Sequence, residues 1–212
     1  MLANAGVNWL GWPFHLPVNQ EDLSEKDAAA IIADTAELAR HVLITYDDDA
    51  EEIARFCHVM GVGTVQLHGE VPICELRKLR ESAPGLVVIK SLVVRSDNGD
   101  ALARLVRQTT PWIDGYITDT FDPETGAEGA TGKCHDWEIS RKLVADSSLP
   151  VVLAGGLNAD NVADAILHVR PAGVDVHTGV EQADGRKCPK KVEQFVQESR
   201  RAFARIASNR NC

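Results

Sequence analysis

The chain alternates short apolar, β-branched runs with segments of helical periodicity, and this alternation constrains the fold more than any other feature. Each apolar run is followed by a segment whose apolar residues recur at spacings of three and four. A series of strand–helix units predicts a parallel sheet with helical crossovers, and continuously apolar strands predict that both of its faces are covered. The predicted strands are Val7–Trp12, His41–Thr45, Thr64–Leu67, Leu86–Val93, Gly115–Thr118, Pro150–Ala154 and Gly173–Val176.

Two architectures fit this pattern, an open doubly wound sheet and a (β/α)8 barrel. Seven strands are one short of a barrel, and no GxGxxG motif follows the first strand to favour a dinucleotide-binding sheet. The 212 residues contain no linker or composition break, so we expect a single domain over residues 1–212. The predicted helices are Glu25–Arg40, Ala50–Met60, Val71–Ser82, Asp97–Gln108, Glu138–Ala145, Asn158–His168 and Pro189–Ile206.

The net charge restricts the kinds of molecule that we expect the protein to bind. The chain has 22 basic and 31 acidic residues, a net charge of −9, which argues against a nucleic-acid partner because phosphate backbones need a basic surface. No apolar run approaches the roughly 18 residues of a membrane span, and no basic segment opens the chain as in a signal peptide. We therefore expect a cytoplasmic protein that meets neither nucleic acid nor membrane.

Glycines follow the last two predicted strands, at the strand ends where α/β proteins bind their ligands. Gly155 and Gly156 come before a helix predicted to start near Asn158, and Thr178 and Gly179 follow the final strand. Such turns expose adjacent backbone N–H groups that can hold a phosphate, although glycines also serve simply to make tight turns. The two glycine-containing turns together predict a small phosphorylated ligand.

Titratable residues stand at other strand ends. Asp119 is suited to general acid–base chemistry if burial raises its pKa, or else it braces the loop. His68 is a candidate proton carrier or a hydrogen-bonded rim residue. Lys90 lies within a strand and is suited to a Schiff base in an aldolase or to an ion pair. The acidic run 47–52 suits a helix N-terminus better than a cation site, and no His/Asp spacing indicates a metal.

Taken together, these motifs resemble the phosphoribosylanthranilate isomerase family, a (β/α)8 barrel of tryptophan biosynthesis. The resemblance covers nearly the whole chain, in the family's order and spacing. The matching stretches are Val65–Gly69, Val88–Lys90, Thr118–Thr120, Gly129–Gly132, Asp136–Trp137, Leu153–Leu157, Asn161–Val162 and Gly173–Glu181.

The resemblance implies an Amadori rearrangement, in which an aminoaldose phosphate becomes an aminoketose phosphate. A general acid opens the ribose ring and a general base moves the C2 proton. By similarity, Asp119 matches the acid, and Gly155, Gly156, Thr178 and Gly179 match the phosphate cradle. Gly132, in the matching glycine-rich loop, is a further expected substrate-binding residue. No metal or organic cofactor is implied.

The sequence also departs from the family's pattern. The family's first strand, with its cysteine base, has no counterpart, because residues 1–6 match the end of the family's first helix. We therefore expect a TIM barrel with seven of eight strands, whose open edges are covered by a partner copy or a rearranged N-terminus. The arginine that binds the anthranilate carboxylate falls on about Glu21, and His177 replaces a small residue beside the phosphate.

These departures predict weak or absent turnover of phosphoribosylanthranilate, with His15 and His68 as substitute bases because both follow strands and titrate near neutrality. Three hypotheses stay open at this point. The chain is an isomerase acting on phosphoribosylanthranilate or another aminosugar phosphate, a non-catalytic phospholigand-binding or regulatory barrel, or an aldolase-type lyase that uses Lys90.

Overall fold

The computed structural model describes residues 1–16, 23–120 and 137–209, and within them seven strands alternate with seven α-helices. The strands are β1 (Trp9–Phe14), β2 (Arg40–Thr45), β3 (Thr64–Leu67), β4 (Val87–Val94), β5 (Gly115–Thr120), β6 (Val151–Leu153) and β7 (Gly173–Val174). The helices are α1 (Glu25–Thr35), α2 (Ala50–Met60), α3 (Ile73–Ser82), α4 (Gly99–Thr109), α5 (Trp137–Asp146), α6 (Val162–Val169) and α7 (Pro189–Asn209). Short 3₁₀ helices cover Ala3–Ala5, Thr110–Trp112 and Thr178–Val180.

Backbone contacts divide the chain into two compact units. The N-terminal unit comprises Val7–Ser91 and Arg107–Gly115, and the C-terminal unit comprises Met1–Gly6, Leu92–Val106 and Tyr116–Cys212. The expectation of a single domain over residues 1–212 therefore stays a prediction.

In the N-terminal unit, β1, β2, β3 and β4 are neighbours in chain order, and each pair is parallel. The register aligns Phe14 with Thr45 and Leu67 with Lys90, so the carboxyl ends of successive strands come together. The core of this unit is built from strand residues such as Val65 and from the apolar faces of α2 and α3. β1 differs from the expected covered strands, because its exposure alternates and Trp9 is exposed while Phe14 is buried.

In the C-terminal unit, β5, β6 and β7 are again parallel neighbours in chain order. The Tyr116 hydroxyl donates to the Val106 carbonyl at 2.8 Å, which satisfies the polar end of a fully buried ring. Helices α6 and α7 pack through apolar faces that include Ile166 and Phe195. This packing supports the loops that follow β6 and β7.

Most element boundaries differ from those predicted, and in β1, α1 and α6 the cause is visible in the structure. β1 begins two residues late, because left-handed Gly6 caps the preceding 3₁₀ helix, and it extends to buried Phe14. α1 ends at Thr35, whose hydroxyl donates to the Ile31 carbonyl while a turn follows. α6 begins at Val162, since the preceding residues form a side-chain-braced loop. Across the described ranges, no helix has the length and apolar character needed to span a membrane.

Candidate functional site

The loop after β6 has a backbone that glycine makes accessible. Gly155 and Gly156 have φ angles of 99° and 63°, both in the left-handed region that other residues rarely adopt. Asn161 braces the loop, because its Nδ2 donates to the Gly156 carbonyl at 3.0 Å and its Oδ1 accepts from the Asn158 N–H at 2.8 Å. The turn is therefore held in place by a side chain before α6 begins.

The loop after β7 packs directly against this turn. Thr178–Val180 forms a 3₁₀ helix, and a Cβ added to Gly179 would collide with the Leu157 carbonyl oxygen and touch the Asn158 side chain. Only a residue without a side chain lets the two backbones approach so closely. The two glycine-containing loops predicted from the sequence, after β6 and after β7, therefore pack against each other.

Asp119 lies in β5, half-buried, and its Oδ1 accepts from the Thr120 N–H at 2.8 Å. The sequence reasoning missed a second carboxyl, Asp175, which follows β7 in the same unit. Burial among protein atoms and, to a smaller extent, the charge of Asp119 raise the pKa of Asp175 to about 6, against the opposing effect of Lys187. The Asp175 side chain nevertheless keeps solvent contact, and that water stabilises the carboxylate and limits the rise.

His177 follows Asp175 and belongs to a cluster of charged groups. Its Nδ1 lies 3.3 Å from Glu181 Oε1, and its carbonyl accepts from Lys187 Nζ at 3.0 Å. Lys187 Nζ also donates to Glu181 Oε1 at 2.6 Å. The histidine that replaces a small residue is therefore tied to an ion pair at the edge of the glycine loops.

In the N-terminal unit, His15 lies at the carboxyl end of β1 with a φ angle of 55°, which is strained for a histidine. Its Nδ1 is 2.7 Å from Asp47 Oδ2 and its Nε2 is 3.3 Å from Glu25 Oε1, while the ring stacks on Phe56 with centroids 4.3 Å apart. Burial lowers the pKa of His15, but hydrogen bonds to Asp47 and Glu25 outweigh it and leave the pKa raised. The arrangement favours the imidazolium, which can donate to both carboxylates.

The second predicted histidine, His68, follows β3, and its ring stacks on Tyr46 with centroids 4.6 Å apart. A Cβ on Gly69 would lie 2.9 Å from the Tyr46 carbonyl oxygen, so the glycine permits this close approach. His68 is buried and lies on the same unit's strand ends as His15.

Lys90 holds the loop that carries His68. Its Nζ donates to the carbonyls of Gly69 at 2.8 Å, Ser91 at 3.2 Å and Leu67 at 3.3 Å, and its side chain is buried. Three carbonyl acceptors stabilise the ammonium, whereas a Schiff base requires the neutral amine. The contacts thus favour a bracing role over the lyase hypothesis.

The acidic run 47–52 has two roles. Asp49 caps α2 by accepting from the N–H groups of Glu51 and Glu52, as predicted for a helix N-terminus. Asp47, by contrast, binds His15 and accepts from the Thr45 hydroxyl at 2.8 Å. Of the other predicted site residues, Glu21 and Gly132 lie outside the described residues. Among the described residues, no group of three or more His, Cys, Asp or Glu side chains is arranged to hold a metal ion.

A cleft of about 820 Å³ lies at the other end of the N-terminal unit, by the amino ends of β2, β3 and β4. Its lining includes His41, Thr64 and Val87 and contains none of the predicted site residues. Because ligands of α/β proteins bind at the carboxyl ends of the strands, we do not assign the candidate site to this cleft.

Comparisons with known proteins agree with the resemblance. A family model described as N-(5'-phosphoribosyl)anthranilate isomerase matches residues 12–198. An N-(5'-phosphoribosyl)anthranilate isomerase of Methanosarcina mazei is 35% identical over 207 residues, covering 97% of this chain and 90% of that relative. The phosphoribosylanthranilate isomerase structure from Thermotoga maritima matches with a TM-score of 0.77 and 30% identity, covering 94% of this chain and 91% of that one.

Another similar structure is a phosphoribosylanthranilate isomerase in complex with reduced 1-(o-carboxyphenylamino)-1-deoxyribulose 5-phosphate. It matches with a TM-score of 0.75 and 27% identity, covering 94% of this chain and 90% of that one. These matches confirm the predicted α/β fold of the isomerase barrel, here with seven strands among the described residues. They lend no support to the lyase or regulatory hypotheses. The chain belongs to the phosphoribosylanthranilate isomerase family.

Proposed function

We propose that this protein is a phosphoribosylanthranilate isomerase that converts phosphoribosylanthranilate to 1-(o-carboxyphenylamino)-1-deoxyribulose 5-phosphate. The observation that carries the proposal is the meeting of the two glycine loops, where the Gly179 backbone packs against Leu157. Backbone N–H groups of Gly155, Gly156, Thr178 and Gly179 hold the substrate phosphate, as in other phosphate sites made of glycine turns.

Asp119 supplies the acid in this proposal. The Asp119 proton goes to the ring oxygen of the ribose as the C1–O bond breaks. The electron pair of that bond stays on the oxygen, which becomes a hydroxyl group. The nitrogen lone pair forms C1=N, and a base then removes the C2 proton to give an enolamine that rearranges to the ketone. Its position at the end of β5 puts Asp119 in the same unit as the glycine loops.

Of the two histidines nominated as bases, His68 suits the role better. Both ring nitrogens of His15 face carboxylates, which favours the protonated form, and a protonated imidazole cannot accept the C2 proton. His68 lies on a loop that Lys90 holds rigidly, as a proton-transfer group requires. His177 borders the phosphate site in this proposal, while the roles predicted for Glu21 and Gly132 stay predictions.

The proposal extends to the cellular setting. The ligand is a small phosphorylated molecule, the enzyme uses no metal or organic cofactor, and the protein works in the cytoplasm without nucleic acid or membrane. A second copy that covers an open strand edge is a further prediction. Family membership and the net charge of −9 support these points.

The test is turnover of phosphoribosylanthranilate by the wild type and by Asp119→Asn. We expect wild-type turnover that is weaker than that of the relatives, because the sequence departs from the family's pattern. We expect kcat to fall by about 10²–10⁴-fold in Asp119→Asn, because general acid catalysis contributes on that scale. Asp146→Asn is the matched control, since it removes one carboxylate at the exposed last residue of α5. Binding of the reduced product analogue without any wild-type turnover would support a non-catalytic barrel instead.

A further inference from the structure

The rings of Tyr46 and His68 stack at the carboxyl ends of β2 and β3, with centroids 4.6 Å apart and planes inclined by 22°. The register aligns Thr45 with Leu67, so Tyr46 and His68 are the next aligned pair. The His68 N–H donates to the Thr45 carbonyl at 2.9 Å, so the pairing continues to this level. Aligned residues of parallel strands project from the same face of a sheet. The sheet therefore brings the two rings together.

The backbone on both sides of the His68 imidazole is held in place. Its neighbours Leu67 and Gly69 offer their carbonyls to Lys90 Nζ, which donates to them at 3.3 and 2.8 Å. A Cβ on Gly69 would lie 2.9 Å from the Tyr46 carbonyl oxygen, so the two loops are in close contact. The freedom that is left to the buried His68 is rotation about its side-chain bonds, and the χ2 torsion of histidine has broad energy wells.

A stacked aromatic ring restricts this rotation through the face of the imidazole, whereas the two nitrogens lie at the edge of the ring. His15 shows the alternative at the end of β1, where Nδ1 and Nε2 face the carboxylates of Asp47 and Glu25. Carboxylates orient an imidazole but also hold a proton on it. An aromatic neighbour such as Tyr46 orients the ring without holding a proton on it, which suits a group that has to accept one.

We propose that Tyr46 is a positioning residue for the base: its ring fixes the plane of the His68 imidazole, which accepts the C2 proton of the substrate. This inference rests on the proposed function and deepens it. As the C2–H bond breaks, its electron pair forms the C1=C2 bond, the C1=N pair returns to nitrogen, and His68 keeps the proton as an imidazolium. A base accepts a proton only within hydrogen-bond reach, so a rotated ring slows this step.

The kinetic test compares kcat and KM in the wild type, Tyr46→Phe, Tyr46→Leu and the control Trp9→Leu. Phenylalanine keeps the stacked ring and leucine removes it, while Trp9 is an exposed aromatic residue at the amino end of β1. We expect Tyr46→Leu to lose about ten- to hundredfold in kcat, because a small misplacement of a catalytic group costs on that scale. KM should change much less, since the lost interaction acts on the proton-transfer step. Tyr46→Phe should recover most of kcat, and Trp9→Leu should match the wild type.

A double-mutant cycle shows whether Tyr46 acts through His68. In a His68→Asn background, Tyr46→Leu should cause no further loss of kcat, because no imidazole is left to position. A further loss as large as that in the wild-type background would overturn the inference, and so would a His68→Asn variant that turns over like the wild type. Neither result would overturn the proposed function, which is tested by wild-type turnover and its dependence on Asp119.

A second readout does not need turnover. Carbon-13 relaxation of the His68 ring should give a lower order parameter in Tyr46→Leu than in the wild type, whereas Tyr46→Phe should keep the wild-type value. The His15 ring should keep its order in both variants, and their amide spectra show that each variant is folded. An unchanged order of the His68 ring in Tyr46→Leu, or equal losses of kcat in the two variants, would overturn the inference and leave the proposed function intact. Absence of wild-type turnover would overturn both.

Discussion

Two strand-end regions of this protein are built by opposite means. The loops after β6 and β7 are shaped by backbone, with left-handed glycines at 155 and 156 and a glycine at 179 that no larger residue can replace. The ends of β1 and β2 are shaped by ionisable side chains, with His15 between Asp47 and Glu25. A backbone site offers fixed N–H dipoles at every pH, whereas a side-chain site changes its charge as its groups titrate.

The largest expected effect comes from a side chain in the backbone site. Gly179→Ala places a methyl group against the Leu157 carbonyl, and one of the two loops must move. We expect loss of detectable binding of the reduced product analogue, together with a destabilisation of about 1–3 kcal/mol typical of overpacking. Calorimetric titration and denaturant unfolding measure the two effects.

Gly173→Ala is the matched control for this prediction, because its added methyl would make an ordinary 3.7 Å contact with Val152. We expect it to bind the analogue as the wild type does. Equal affinity of Gly179→Ala and the wild type would show that the loops do not form the phosphate site.

An intermediate effect is expected in the N-terminal unit from Lys90→Met. The methionine keeps the length of the side chain but leaves the carbonyls of Leu67, Gly69 and Ser91 without the ammonium. We expect a loss of about 2–4 kcal/mol in the free energy of unfolding, because unsatisfied buried polar groups cost about 1–3 kcal/mol each and the loop relaxes in part. Lys78→Met, which removes an exposed ammonium paired with Glu75, should cost much less than Lys90→Met.

The smallest effect is a pH dependence of stability at His15. Since its pKa is raised in the folded protein, the stabilisation is complete below the unfolded value of 6.5 and is lost as the pH rises through the folded pKa. We expect the stability difference between wild type and His15→Asn to shrink by about 1 kcal/mol or less between pH 6 and pH 9. Asparagine tolerates the left-handed backbone, so folding is preserved. Thermal unfolding across this pH range measures the difference, and a difference that grows with pH would contradict the assignment.

The sequence predicts backbone-built features better than side-chain clusters. The β3 strand and helix α2 have the predicted bounds, because β3 is a short run buried on both faces and α2 has a capped helical stripe, and both signals are local in the sequence. The sequence also predicts the glycine turns after β6 and β7, since a left-handed or closely packed backbone requires glycine. The family and fold followed from these motifs in order.

Contacts between side chains that are distant in the chain cannot be predicted from such local signals. The sequence places Asp47 in a helix-capping run, yet Asp47 binds a histidine 32 residues earlier in the chain. Asp175 lies within a family motif that by itself indicates no role for it, because its relation to Asp119 depends on the register of three strands. α6 starts four residues late, since Asn158 and Asn161 bond to each other's backbone instead of continuing a helix.

A titration with inorganic phosphate followed by nuclear magnetic resonance tests the central claim most directly, because it compares the backbone N–H groups of one region with the ionisable side chain of the other. The account predicts that the backbone amide signals of Gly156, Thr178 and Gly179 shift with phosphate concentration while the ring signals of His15 do not. Shifts confined to the His15 ring, with the glycine amides unmoved, would contradict it.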